Sequence, residues 1–264
     1  MMQKTKSLVA ILLILTAVFL FFRLVDIDRT LSQDEILPKT AFLNLESPGK
    51  YLGDFGQPPL WQLPNAILAS MLGTANWVFR IVPVAASILV AILILSYLMK
   101  KFGIEYAMLG LLLLAFFPWQ INTSNQVLQT SLLTLFMISS LLLAERFQET
   151  RNRSYIQATA VFSALALITM FIGVIAPIAI SAYLLFSTGT SRECRFRDLL
   201  YFNGFTALLF AAVMAAVYLI YPLALTSSVS HAQELGGFFK IPVLGLPSLL
   251  ILFLWSGPIA LFFL

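Results

Sequence analysis

The sequence has one cysteine, one histidine and little charge. Cys194 alone can form no intrachain disulfide, so cysteine usage says nothing about redox compartment. One His and one Cys also exclude a structural zinc site, which takes four such ligands. Charged residues make up 11% of the 264 positions and hydrophobic ones 60%, against about 25% and about 45–50% in soluble domains. Sixteen basic and twelve acidic side chains cannot cover that much apolar surface in water. A soluble globular enzyme, a disordered chain and a disulfide scaffold are thereby excluded. Also missing are a P-loop, GxGxxG, HExxH, GxSxG and a CxxC pair. What remains is an integral membrane protein with several spans. The net charge of +4 is no nucleic-acid signal. The basic residues sit in short clusters between apolar runs and read as topology markers.

The run 7–22 is preceded by Lys4 and Lys6 and followed by Arg23. A signal peptide would need small residues near the end of the run. Phe19, Leu20, Phe21 and Phe22 stand there instead, so it reads as a retained first span with a cytoplasmic amino end. Residues 24–60 differ in character. They hold Asp26, Asp28, Asp34, Glu35, Glu46 and Asp54, half of the acids, together with Pro38, Pro48, Pro58 and Pro59. This stretch is too polar to span and reads as a long external loop.

Further apolar runs cover about 61–79, 81–99, 104–121, 126–144, 155–172, 173–187, 199–221 and 241–264. A span takes about 20 residues. Gly173 and Pro177 predict a break that makes a hairpin of 155–187. If 61–79 lies along the outer interface, Lys4, Lys6, Lys100, Lys101, Arg146, Arg151, Arg153, Arg192, Arg195 and Arg197 all fall inside. That is ten of the sixteen basic residues, so the positive-inside rule favours an interfacial 61–79. Gln62, Pro64, Asn65 and Asn76, with Trp61 and Trp77 at its flanks, suit such a helix.

The expected fold is all-α: one polytopic transmembrane helical bundle over 1–264. About eight spans run at 7–22, 80–99, 104–121, 126–144, 155–171, 173–187, 199–221 and 243–264. The external loop 23–79 carries interfacial helices. Long apolar runs in lipid require helices and exclude a barrel. The last run has no charged flank, from which either a chain truncated at its carboxyl end or a short form is expected.

Chemistry here must use carboxylates, amides and Arg or Lys, or an oxygen-bound divalent ion at Asp34 or Glu35. Two adjacent acids near an interface suit a general base and a metal ligand or positioning group. The plainer reading of Ser32–Glu35 is a helix N-cap. Gln57-Pro58-Pro59-Leu60 is a rigid turn that stops one helix and starts another. It could also hold a polar group over a lipid headgroup. Arg80, at the mouth of the second span, either snorkels or meets a lipid phosphate. Gln126, Gln129 and Thr130 open the fourth span as helix–helix contacts or cavity lining. His231 and Lys240 sit in the last external loop.

In order and spacing, these elements resemble the membrane-embedded glycosyltransferases of the C superfamily. The nearest-looking members are dolichyl-phosphate-mannose–protein mannosyltransferase-like and aminoarabinose-transferase-like proteins. The resemblance covers residues 1–190. It runs through Asp34-Glu35, Gln57-Pro58-Pro59-Leu60, an interfacial segment ending near Gly73, Arg80-Ile81-Val82-Pro83, and Phe117-Pro118 through Gln129. The basic residue usual before Pro-Pro is Gln57 here, and Gln129 or Thr130 replaces a carboxylate usual in the fourth span.

The resemblance implies a hexosyltransferase that moves a sugar from a polyprenyl-phosphate carrier to an acceptor hydroxyl, with inversion. Asp34 would be the general base, and Glu35 would position substrate or hold a divalent ion. Gln57, Pro58, Pro59, Arg80, Gln129, His231 and Lys240 would bind substrate. The implied partners are the lipid-linked donor, membrane lipids and an acceptor lipid, protein or glycan, with no nucleic acid. The implied location is the plasma (inner) membrane, with the active site on the external face. The alternative is a degenerate member that binds the lipid carrier as an accessory subunit. A transporter fits less well, because the span interiors lack ionisable groups.

Overall fold

A computed structural model describes residues 2–25, 27–31, 59–187 and 191–220. The expected all-α fold is what it shows, and no strand occurs among the described residues. The helices are α1 (Met2–Leu24), α2 (Pro59–Leu72), α3 (Asn76–Phe102), α4 (Ile104–Phe116), α5 (Pro118–Asn125), α6 (Thr130–Thr150), α7 (Arg153–Thr169), α8 (Ile175–Phe186) and α9 (Arg192–Ile220). A 3₁₀ turn, Phe171–Val174, joins α7 to α8. Among the described residues, three helical stretches are long and apolar enough to cross a bilayer: α3, α6 and the Arg192–Ala216 part of α9. Ala10–Leu24, Leu63–Leu72, Ile104–Phe116 and Ile172–Phe186 are shorter apolar helices. The expected last span at 243–264 lies outside the described residues.

The breaks follow from single residues. Gly73, at φ +86°, ends α2 in a backbone conformation that a side chain would strain. The second long helix therefore starts at Asn76, and Arg80 lies one turn inside it rather than at its mouth. The continuous apolar run 104–121 is not one helix. Pro118 has no N–H and pushes Phe117 to extended backbone (φ −72°, ψ 110°), so α4 stops and α5 begins. The predicted break near Gly173 is present. A Cβ there would run into the Ala166 carbonyl, so only glycine fits the turn. Between α6 and α7, Arg151 takes the left-handed conformation, and the Asn152 side chain accepts from the Ser154 N–H to cap α7.

The helices pack as a row: α1 on α4, α4 on α3, α3 on α6, α6 on α7, and α7 on α9, with α8 against α9. Apolar burial drives no association between helices in lipid, so close packing of small residues does. Ser140, Ala144, Thr159, Ala160, Ser163 and Ala164 are all buried along α6 and α7. Beside them, Phe147, Ile156, Ile180, Leu184 and Phe202 close a core between α6, α7, α8 and α9. Gly110 plays the same part between α3 and α4, where a Cβ would meet Leu98.

Helix α2 spans 14 residues, or about 21 Å, which is short of the bilayer core. It buries Trp61, Asn65 and Ala69 on the side that packs on α3 and α7, and exposes Leu63, Ile67 and Met71. An exposed apolar face on a short helix is what an interfacial segment needs.

Candidate active site at the Arg80 end of the bundle

Two arginines at one end of the bundle are fully buried, and each is held by backbone carbonyls. Arg80 donates from Nε to the Asn125 carbonyl at 3.0 Å. Its Nη1 donates to the carbonyls of Ile27 (2.8 Å) and Arg29 (2.7 Å), and its Nη2 to that of Thr30 (3.4 Å). Asn76, one turn earlier on α3, donates to the Arg29 carbonyl at 3.3 Å. The chain leaving α1 is thus pinned to the start of α3. Asn125 closes α5, so its carbonyl has no donor within that helix. A planar fork with five N–H groups can serve this many acceptors, whereas an ammonium cannot.

Arg23, at the end of α1, works similarly. It donates to the carbonyls of Leu114 (2.7 Å), Ala115 (3.4 Å) and Phe19 (3.5 Å), and its guanidinium lies 3.9 Å from the centre of the Phe19 ring. The Leu114 carbonyl would ordinarily bond the N–H four residues on, but that residue is Pro118. Arg23 supplies the missing donor, and it does so at the negative end of the α4 dipole. In the sequence, Arg23 stands out only as a flank of the first span. The Leu114–Pro118 spacing is the signal that could have pointed to it.

The short helix α5 ties this end together. Asn125 donates to the Phe22 carbonyl at 2.8 Å, and Gln120 donates to Ser87 on α3 at 3.5 Å. Ser131 on α6 donates to the Thr123 carbonyl at 3.0 Å. Gln120, Thr123, Ser124 and Ser131 are buried. At this end, three buried oxygens face no partner among the described residues, Asn65 Oδ1, Gln129 Oε1 and Thr130 Oγ1; elsewhere Gln148 Oε1 and Ser163 Oγ do the same. Unsatisfied buried oxygens of this kind are costly, and a ligand hydroxyl would relieve them.

Of the residues singled out in the sequence, Arg80 and Gln129 lie at this end. Gln129 occupies the cap position of α6 without capping it. Pro59 is the first residue of α2, where a proline costs the helix no hydrogen bond. Asp34, Glu35, Gln57, Pro58, His231 and Lys240 lie outside the described residues. Asp34 follows the Arg80-bound Thr30 by four positions. No cluster of three or more His, Cys, Asp or Glu suited to a metal occurs among the described residues.

Residues 56–221 match the profile of the family described as dolichyl-phosphate-mannose-protein mannosyltransferase, which is more than half of the chain. The chain belongs to this family. The matched range holds α2 to α9, with Gln57, Arg80 and Gln129, and begins after Asp34-Glu35. No curated protein and no solved structure matches the chain. Family membership makes this an integral membrane protein of glycosyltransferase type, and implies a lipid-linked sugar donor.

Proposed function

We propose that this family member transfers a sugar from a polyprenyl-phosphate carrier to an acceptor hydroxyl at the Arg80 end of the bundle. That end faces the outside of the plasma (inner) membrane. Asp34 takes the proton from the acceptor hydroxyl as its oxygen attacks the anomeric carbon. The carrier phosphate leaves from the opposite face, so the configuration inverts. Glu35 positions the substrate. Gln57, Pro58 and Pro59 shape the loop beside the membrane, and His231 belongs to the substrate-facing external loop. Lys240 meets the leaving phosphate, in a field made positive by the two buried guanidiniums. Gln129 Oε1 and Thr130 Oγ1 offer acceptors to sugar hydroxyls, which carry donors.

The observation that supports this reading most is the Arg80 clamp. It fixes the segment Ile27–Thr30 just ahead of the acid pair, at an end of the bundle where Asn65 Oδ1, Gln129 Oε1 and Thr130 Oγ1 stand unmatched. A general base contributes about 10²–10⁴-fold when its position is held. The test is sugar transfer in proteoliposomes, with polyprenyl-phosphate hexoses as donors, comparing wild type with Asp34→Asn. The variant is expected to lose about 10²–10⁴-fold in rate. Equal transfer by both would remove Asp34 as the base. A wild-type chain that transfers nothing but co-purifies with a stable catalytic partner would favour the accessory-subunit reading, for which Gln57 and Gln129 are the motivating departures.

A further inference from the structure

At the opposite end of α3, about 30 Å from Arg80 by helix rise, lies a cavity of about 520 Å³ between α3, α6 and α7. That is within the range of small-ligand sites. Its wall is apolar, built from Leu93, Leu142, Leu143 and Phe162, and its mouth is charged. Two acids and three bases meet at the mouth. Glu145 pairs with Lys101 and accepts from the Tyr97 hydroxyl at 3.0 Å. Glu149 pairs with Arg146 at 2.8 Å. Lys100 also lines the cavity, is exposed, and makes no ion pair or hydrogen bond among the described residues.

We propose that this cavity binds an anionic glycerophospholipid carrying one diester phosphate, with an acyl chain along the leucine wall and the phosphate at Lys100. Three cations against two carboxylates leave one positive charge at the mouth, and one diester phosphate neutralises it. A zwitterionic headgroup would bring its own cation to a place already in excess. The apolar wall leads directly to that mouth, which suits a tailed ligand better than free phosphate. The surrounding end of the bundle carries Arg151, Arg153, Arg192, Arg195 and Arg197, which outnumber Glu105, Glu193 and the Arg151-paired Asp198, and basic pockets between spanning helices are where anionic headgroups collect.

The experiment is native mass spectrometry of the full chain in detergent, titrated separately with phosphatidylglycerol, phosphatidylcholine and a polyprenyl phosphate. Phosphatidylglycerol is expected to be retained about fivefold better than phosphatidylcholine, the gain of one surface cation pairing with a lipid anion. Lys100→Gln should remove that preference and Lys100→Arg should keep it. Lys100 is exposed, so neither change threatens folding. Equal retention of the two phospholipids would overturn the proposal, as would an undiminished preference in Lys100→Gln. Displacement of phosphatidylglycerol by equimolar polyprenyl phosphate would also overturn it, by making this a carrier-lipid site.

Discussion

Arg80 and Arg23 show why a single side chain can be visible in a sequence while its role is not. Arg80 stands out as a cation at a membrane edge, for which snorkelling or a lipid phosphate are the natural readings. It instead donates to four backbone carbonyls, three of them about fifty residues earlier and one forty-five later. No local pattern announces such partners, because backbone carbonyls belong to every residue. Lysine would keep the charge but lose the fork. Arg80→Lys should therefore leave buried carbonyls unmatched and cost about 1–3 kcal/mol, read as a lower melting temperature in detergent and faster proteolysis between α1 and α2. A variant that melts with the wild type would refute the clamp.

Among elements, composition located the helices well and their ends less well. The hairpin at 155–187 was legible because Gly173 and Pro177 interrupt it within five residues. The division of 104–121 was not, because Pro118 sits in an unbroken apolar run and hydropathy is blind to a missing N–H. In the segment expected to lie along the interface, the structure shows a short separate helix, whose boundary with α3 depends on the positive φ of Gly73 and was not legible. Gly173→Ala tests the tightest turn. The added methyl must displace the Ala166 carbonyl and should cost about 1–3 kcal/mol, seen in thermal unfolding. Gly204, where a Cβ meets nothing nearby, should accept alanine without loss and serves as the control.

For the molecule as a whole, basic clusters and apolar runs gave the all-α bundle, and the acid pair, the Pro-Pro turn and Arg80 gave the family. The cavity beneath Lys100 was not legible, because α3, α6 and α7 must first be brought side by side. Orientation follows from the charge: the ten clustered basic residues should face the cytoplasm. In sealed right-side-out vesicles, a membrane-impermeant maleimide should label Asp28→Cys in a Cys194→Ser background at once. Native Cys194 should react only after permeabilisation. The reverse pattern would invert the topology and put the Arg80 end inside.

The carbonyls that hold the two buried arginines also set an order of assembly. Arg23 emerges from the ribosome some ninety residues before Leu114 and Ala115, and Arg80 precedes Asn125 by forty-five. Arg23 cannot complete its set of acceptors until the fourth helix has been made, nor Arg80 until the fifth. The exit of the first helix is therefore among the first pieces synthesised but waits for the short segment 118–125, which acts as the latch that closes it.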